Sequence, residues 1–324
     1  MEKVRITVFA DPVCTWCWGS VPVLRAVGYR FGKQVEIKYV MGGMIEDVVT
    51  FMDRRDSVGG NIALSNRNIH ASWIEASARH GMPVAQSGFH LFSEERRSTI
   101  SQNLAYIASE VYAERNENSV KPGLSKRFLR SLQEKTAVDA VVTNSVDELV
   151  GIASTLGIDP GTFKLLLQSD EVLERYRAGK RLCAAYEVNK FPTFRIEYRG
   201  EENVIRGYTS WEQMCNGISR LTGGDVNPLN DGREKLTVDN VAAFVATLGT
   251  AYPVEIATAF SLERKSGHSA LYSESYTGLP DVVAGLVEDG KVAMVPKGNG
   301  FMFYTINNGT TISQIRGREH AGVL

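Results

Sequence analysis

Residues 4–19 read VRITVFADPVCTWCWG, in which an apolar run rich in β-branched residues, Val4–Ala10, leads into a Cys-x-x-Cys pair, Cys14 and Cys17. The run predicts a β-strand, and the residues behind it predict the start of a helix. Backbone N–H groups and the dipole at a helix start favour a thiolate at Cys14. Cys14 is then the attacking thiol and Cys17 the resolving thiol of a dithiol/disulfide couple, and we expect Cys14 to be the more exposed and more acidic of the two, because Cys17 lies one turn inside the helix.

The cysteine pair is also compatible with half of a zinc site or with a pair kept for packing, and both alternatives stay open. A zinc site needs two further ligands. Cys183 and Cys215 lie far apart in sequence on apolar helical stripes, where a small buried thiol is expected. We therefore expect no metal. The histidines show no metal spacing and no link to the cysteines, and none is assigned a role: His70, His80, His90, His268 and His320.

Three side chains beside the cysteines are candidates for a supporting role. Asp11 is a candidate proton acceptor for a buried thiol, or it caps the turn before Pro12. Trp16 and Trp18 flank Cys17 and are candidates for an apolar lip that binds an extended peptide. We expect Trp16 to be exposed and Trp18 to be partly buried, with a purely structural Trp18 as the alternative.

Composition describes an ordinary globular protein. The chain has 324 residues, 43% hydrophobic and 23% charged, which is enough for two domains and a sizeable core. A net charge of −1 gives no reason to expect nucleic acid or a membrane surface as a partner. Met1-Glu2-Lys3 leads straight into the first strand, so we expect no signal peptide and a cytosolic protein. In a reducing compartment the dithiol form dominates, which favours a reductase, isomerase or redox sensor.

The order of predicted elements gives an α/β fold class. The strands Val4–Ala10 and Val35–Val40 flank a helix and form a β-α-β unit. Helical periodicity fills residues 61–186, and strand patterns return from Phe191 and end in a helix. We therefore expect a thioredoxin fold over residues 1–60 and 187–224, interrupted by an inserted helical domain over residues 61–186.

The C-terminal hundred residues predict a separate small α+β module. Residues 225–306 read as three helices followed by a two-stranded wing, which is a winged-helix-like order, and residues 307–324 as a flexible tail. Residues 225–324 carry 8 Lys and Arg against 11 Asp and Glu, a net charge of −3. Such a module repels phosphate, so we expect it to bind a protein partner or to pack on the first domain.

The DPxCxWCWG motif at residues 11–19, the long helical insertion and the sequence Phe191-Pro192-Thr193 together resemble the DsbA-like branch of the thioredoxin superfamily. The cytosolic, FrnE-like members, identified as protein disulfide isomerases, are the most similar in these features. The resemblance covers about residues 4–222. It implies that Cys14 is the nucleophile, Cys17 the resolving thiol and Pro192 a cis proline facing them, with Phe191 and Thr193 beside the substrate.

The sequence also departs from this branch. Thr15-Trp16 replaces the Pro-His dipeptide of the strongly oxidising periplasmic enzymes, which implies a milder and more reducing couple. A DsbA-like domain followed by a winged-helix-like module resembles the Spx adaptor family (SpxH/YjbH), which delivers a transcription factor to a protease. Kappa-class glutathione transferases and hydroxychromene carboxylate isomerases share the inserted fold but usually have serine at the position of Cys14.

Three functions follow in order of preference. The first is a cytosolic thiol–disulfide oxidoreductase acting on protein thiols and disulfides or an extended peptide. It would need no cofactor beyond the Cys14–Cys17 couple, with glutathione as a candidate reductant. The second is a protease adaptor or redox-sensing module that docks a protein partner through the C-terminal segment. The third and weakest is a glutathione-dependent transferase or isomerase.

Overall fold

A four-stranded sheet organises the first part of the computed structural model, which describes residues 2–54 and 56–306. Its strand order is β2-β1-β3-β4, with β1 parallel to β2 and antiparallel to β3. Because β1 lies inside the sheet, the segment that follows it starts near the sheet centre. The strands are β1 (Val4–Ala10), β2 (Val35–Met41), β3 (Thr193–Tyr198) and β4 (Glu201–Arg206).

The redox motif forms a short helix of its own. We expected one helix from residue 20 to residue 31, but the chain forms α1 (Thr15–Gly19) and α2 (Val21–Phe31). The break lies at Ser20, whose hydroxyl donates to the carbonyl of Trp16 at 2.8 Å. This side-chain bond competes with a continuous helical ladder. The last helix of the thioredoxin unit is α9 (Trp211–Thr222).

Six helices separate β2 from β3, as the sequence pattern predicts. The last five form a continuous apolar interior with the sheet, in which Phe128 and Phe163 are fully buried with ring centroids 5.4 Å apart. The first contributes Ile69 and Trp73 to a separate buried cluster that includes Trp18. The helices are α3 (Ile62–His80), α4 (Ile100–Arg115), α5 (Leu124–Ala137), α6 (Val146–Thr155), α7 (Pro160–Leu167) and α8 (Asp170–Ala185).

The C-terminal segment contains the three expected helices and the expected hairpin. A strand of two residues, β5, adds to this hairpin and gives the order β5-β7-β6, which the sequence pattern did not predict. The expected tail at residues 307–324 lies outside the described residues. The elements are α10 (Val238–Ala246), β5 (Thr250–Ala251), α11 (Pro253–Ala259), α12 (Leu279–Glu288), β6 (Val292–Lys297) and β7 (Gly300–Thr305).

This segment packs closely on the rest of the molecule. Helix α11 lies against α2, and Ala26 of α2 belongs to the same buried cluster as Phe244 and Phe260. Glu255 of α11 is buried between Arg25 of α2 and Arg130 of α5. The C-terminal segment thus shares a buried core with the rest of the molecule, which argues that it packs on the first domain and is not a loosely tethered module. The division into separate domains stays a prediction.

Candidate active site

Cys14 and Cys17 lie where the sequence places them, at the start of the first helix. Cys14 is the N-cap residue of α1 in an extended conformation, and Cys17 lies one turn further along. Both are free thiols. We expected Cys14 to be the more exposed, but the two are almost equally buried, at 5% and 6% exposure. The exposed fractions of the two thiols therefore do not show which one attacks and which one resolves.

The surroundings of Cys17 fix the protonation state of its thiol. Burial raises the pKa of Cys17 well above its usual value, and the neighbouring Cys14 thiol raises it further. The resolving thiol is thus held as a neutral S–H at neutral pH. The Cys17 thiol loses its proton readily only when the charge of the Cys14 sulfur changes or when that sulfur becomes bonded to a substrate.

The loop before β3 lies beside Cys14. The Phe191–Pro192 bond is cis, as the sequence predicts. The Cys14 thiol donates to the carbonyl oxygen of Phe191 at an Sγ–O distance of 3.5 Å. The Phe191 ring packs against Gly42, where an added Cβ would lie 2.2 Å from a ring atom. The structure therefore places the Phe191 carbonyl at the nucleophile.

Thr193 was expected beside the substrate, and the structure corrects this. Its side chain is fully buried, and its hydroxyl donates to the carbonyl of Lys190 at 2.8 Å. It sits in β3 opposite Phe9 of β1 and holds the turn that contains Pro192. Its contribution is to the shape of the loop.

Trp16 and Trp18 differ in environment. Trp16 is half-buried, and its ring lies 5.6 Å from the ring of Tyr208, which is 41% exposed. These two rings form an apolar lip at the redox motif. Trp18 is only 1% exposed, so the predicted peptide-binding role is wrong for this residue.

Trp18 is instead part of the core. Its indole N–H donates to the carbonyl of Pro83 at 2.8 Å. Its ring meets that of Tyr252 edge-on at 5.6 Å, and the guanidinium of Arg130 lies 4.9 Å from its centre. The redox motif thus contacts both the inserted helices and the C-terminal segment through one side chain.

Asp11 acts as a cap for the turn between β1 and α1. Its carboxylate accepts from the backbone N–H of Val13 at 2.8 Å and of Met44 at 2.7 Å. The hydroxyl of Thr99 and the amide of Asn103 donate to the same oxygen as Met44. Burial raises the pKa of Asp11, whereas the hydrogen bonds from these four donors act to lower it. These bonds are those of a cap on the turn, and the charge of Asp11 also raises the pKa of Cys17, so its role as a proton acceptor for that thiol stays a prediction.

His80 is a site residue that the sequence analysis missed. It ends α3, and its Nε2 lies 3.4 Å from the hydroxyl of Thr15, between the two cysteines. Its ring meets that of Trp16 edge-on at 5.8 Å. The search for metal spacing could not find it, since its partners lie 65 residues away.

The remaining cysteines lie in half-buried or buried surroundings. Burial raises the pKa of Cys183 to about 11 and that of Cys215 to about 12. These are the values of thiols that stay protonated and unreactive. No group of three or more potential ligands suited to a metal ion occurs among the described residues. None of the helices in that part of the chain has the length and apolar surface that a bilayer crossing needs.

The cysteine pair at the end of β1 and the cis-proline loop lie within residues 8–213, which match the family model described as Thioredoxin over more than half of the chain. The chain belongs to the thioredoxin family. Two curated relatives are ClpXP adapter proteins SpxH. That of Halalkalibacterium halodurans is 25% identical over 193 residues, which are 60% of this chain and 58% of that protein. That of Bacillus subtilis is 21% identical over 230 residues, 70% of each protein. The match thus covers less than two thirds of the first relative.

Solved structures show the same fold. A candidate protein disulfide isomerase from Nitrosomonas europaea superposes with a TM-score of 0.56 at 20% identity, over 69% of this chain and all of that one. A candidate DsbA oxidoreductase from Streptomyces coelicolor gives 0.50 at 16% identity, over 70% and 93%. The α/β thioredoxin fold with inserted helices is therefore confirmed, and the chain is similar in sequence to SpxH proteins.

Proposed function

We propose that the protein is a thiol–disulfide oxidoreductase that acts on protein disulfides through Cys14 and Cys17. The observation that carries this proposal is the placement of Cys14. Its sulfur lies at the start of α1 and 3.5 Å from the Phe191 carbonyl of the cis-proline loop. A helix start stabilises a thiolate, and a backbone edge beside it can pair with an extended substrate.

The reaction proceeds by two exchanges. The Cys14 thiolate attacks one sulfur of a substrate disulfide, which forms a Cys14–substrate disulfide and releases the other substrate sulfur as a thiolate. That thiolate takes up a proton from Cys17 or solvent. The Cys17 thiolate then attacks Cys14, releases the second substrate thiol and leaves a Cys14–Cys17 disulfide. Two electrons from a second dithiol, or from two glutathione molecules, restore the reduced protein.

The surroundings of the couple favour a peptide substrate. The rings of Trp16 and Tyr208 form an apolar lip next to Cys14, and neither ring is fully covered. Aromatic rings of this kind bind the side chains of an unfolded or extended segment. We further propose a cytosolic, reducing location in which the couple rests as the dithiol.

A second function is favoured by the relatives named ClpXP adapter. In this alternative the protein docks a partner and the cysteines act as a redox switch, with no turnover of disulfides. The chain carries a C-terminal segment of three helices and three strands that could contribute to such docking. Protein partners are common to both functions, whereas catalysis of exchange belongs to the first alone.

Reduction of insulin disulfides by dithiothreitol separates the two. We expect the wild-type protein to accelerate the reaction, Cys14→Ser to abolish the acceleration and Cys17→Ser to reduce it strongly. Cys183→Ser serves as the matched control and is expected to behave as wild type. If the wild-type protein accelerates the reaction no more than Cys14→Ser does, the oxidoreductase proposal is wrong and the adaptor function is preferred.

A further inference from the structure

Three contacts bring the imidazole of His80 against the redox motif from another part of the chain. Its Nδ1 accepts the backbone N–H of Met82 at 3.0 Å. Since that nitrogen is an acceptor, the ring proton resides on Nε2, which faces the Thr15 hydroxyl at 3.4 Å. The edge of the ring also meets Trp16. His80 therefore contacts both residues that separate the two cysteines.

The motif has a glycine where the ring approaches. A Cβ at Gly19 would lie 2.4 Å from two ring atoms of His80, closer than atoms can approach. Any other residue at this position would displace the ring or the helix. The short helix α1 thus has a small residue at the point where His80 packs, and the contact depends on it.

His80 acts as a neutral donor. It is 2% exposed, and burial lowers its pKa to about 3. Thr15 and Met82, its hydrogen-bond partners, and Trp16, its ring partner, carry no charge. The imidazole therefore stays uncharged throughout the physiological range and adds no positive charge beside the thiols.

We propose that His80 is a positioning residue of the redox couple, which fixes the Thr15-Trp16 dipeptide and thereby sets the reduction potential of Cys14 and Cys17. This inference rests on the proposed oxidoreductase function. The N–H of His80 holds the Thr15 hydroxyl in the first turn of α1. Cys14 is the N-cap residue of that turn, and a helix start favours a thiolate, so an ordered first turn stabilises the dithiol form against the disulfide.

The test is the equilibrium of the full-length protein with reduced and oxidised glutathione, read as the fraction of Cys14–Cys17 disulfide. His80→Leu removes the donor and His80→Gln retains an N–H at a similar distance. We expect His80→Leu to shift the equilibrium constant toward the disulfide by about threefold to tenfold, the effect of one neutral hydrogen bond. His80→Gln should restore most of the wild-type value. His70→Leu is the matched control, because His70 lies on the same helix and bonds to the carbonyl of Ala85.

Thr15 provides a second route if His80→Leu fails to fold. Thr15→Val removes the hydroxyl and Thr15→Ser keeps it, so the first should shift the equilibrium as His80→Leu does and the second should not. The shift caused by His80→Leu or Thr15→Val should not grow between pH 8 and pH 6, because the imidazole is neutral at both.

The outcomes separate this inference from the function on which it rests. If the wild-type protein forms no Cys14–Cys17 disulfide in any glutathione mixture, the proposed oxidoreductase function is wrong. If the wild-type protein forms the disulfide but neither His80→Leu nor Thr15→Val changes the equilibrium, the inference about His80 is wrong and the proposed function stands. A shift that grows below pH 6.5 also overturns it, since a charged imidazole would then be responsible.

Discussion

Arg130 of α5 and Glu255 of α11 form a two-pronged ion pair in the interior, 125 residues apart in sequence. The Nη1–Oε1 distance is 3.0 Å and the Nη2–Oε2 distance is 2.9 Å. The two side chains are 4% and 0% exposed. Arg25 of α2 donates to the same carboxylate at 3.0 Å. Although burial acts to raise it, these two arginines hold the pKa of Glu255 below its usual value.

Glu255→Gln should therefore be strongly destabilising. It leaves the buried Arg25 without its paired carboxylate and Arg130 with Glu134 alone, and breaking a buried pair in this way costs about 3–5 kcal/mol. Urea unfolding of the variant and the wild type measures the difference. Asp239→Asn is a matched control, because Asp239 pairs with Lys291 at an exposed position and should change the free energy of unfolding by less than about 1 kcal/mol. Equal effects of the two variants would contradict the structural importance given to this cluster.

The two tryptophans of the motif should respond differently to truncation. Trp18→Ala opens a cavity in the core and should lower the free energy of unfolding by about 3–5 kcal/mol. Trp16→Ala should cost less than half as much and raise the KM for insulin about twofold to tenfold through loss of an aromatic contact. Thermal unfolding and steady-state kinetics report the two quantities. If Trp16→Ala leaves the KM for insulin unchanged, the apolar lip plays no part in substrate binding.

Glu110 of α4 makes stability depend on pH. Burial, together with the charge of Glu114, raises its pKa to about 7, while the Tyr106 hydroxyl, Arg175 and Lys38 act in the opposite direction. The folded protein thus keeps a proton that the unfolded chain releases, so the free energy of unfolding falls as pH rises from about 4.5 to about 7.

Glu110→Gln should flatten this part of the stability profile. The variant should be more stable than wild type above pH 7, by about 2–3 kcal/mol. Glu174→Gln is the control, because its bond to Arg181 lowers the pKa of Glu174, its titration falls below the window, and its charge is not among those that act on Glu110. Urea unfolding at pH 5, 6, 7 and 8 provides the measurement. Parallel profiles for Glu110→Gln and wild type would show that Glu110 is charged in the folded protein.

Alkylation of the reduced protein should modify Cys14 before Cys17. The exposures of the two thiols are nearly equal, so the order follows from the raised pKa of Cys17, which keeps that sulfur protonated. Iodoacetamide treatment at pH 7 followed by peptide mapping gives the two rates. Faster modification of Cys17 would reverse the assignment of attacking and resolving thiols.

Local pattern was enough to predict most of the fold. The strand at Val4–Ala10 and the helices of the insertion have periodic apolar residues and clear ends, which do not depend on distant partners. The strand Thr250–Ala251 was missed because two residues carry no periodicity. At the separation of α1 from α2 lie a side-chain bond of Ser20, which no apolar pattern reveals, and Pro22, which has no N–H to continue the helical ladder.

The site was predictable where its chemistry is local in sequence. Cys14, Cys17 and the cis bond before Pro192 follow from the motif and the order of elements. Trp18 was misjudged because Pro83 and Tyr252, its partners, are 65 or more residues away. The contact of His80 with Thr15 is of the same kind, since it exists only after the inserted helices have folded back on the motif.

Capture of a mixed disulfide tests the central claim most directly. Cys17→Ser protein is mixed with a peptide that contains one disulfide and analysed by intact mass and peptide mapping. We predict a single covalent adduct joining Cys14 to one sulfur of the peptide, whose other sulfur is released as a free thiol, and none with the Cys14→Ser/Cys17→Ser double variant. Absence of an adduct with Cys17→Ser, or an adduct through Cys183 or Cys215, would contradict the assignment of Cys14 as the nucleophile.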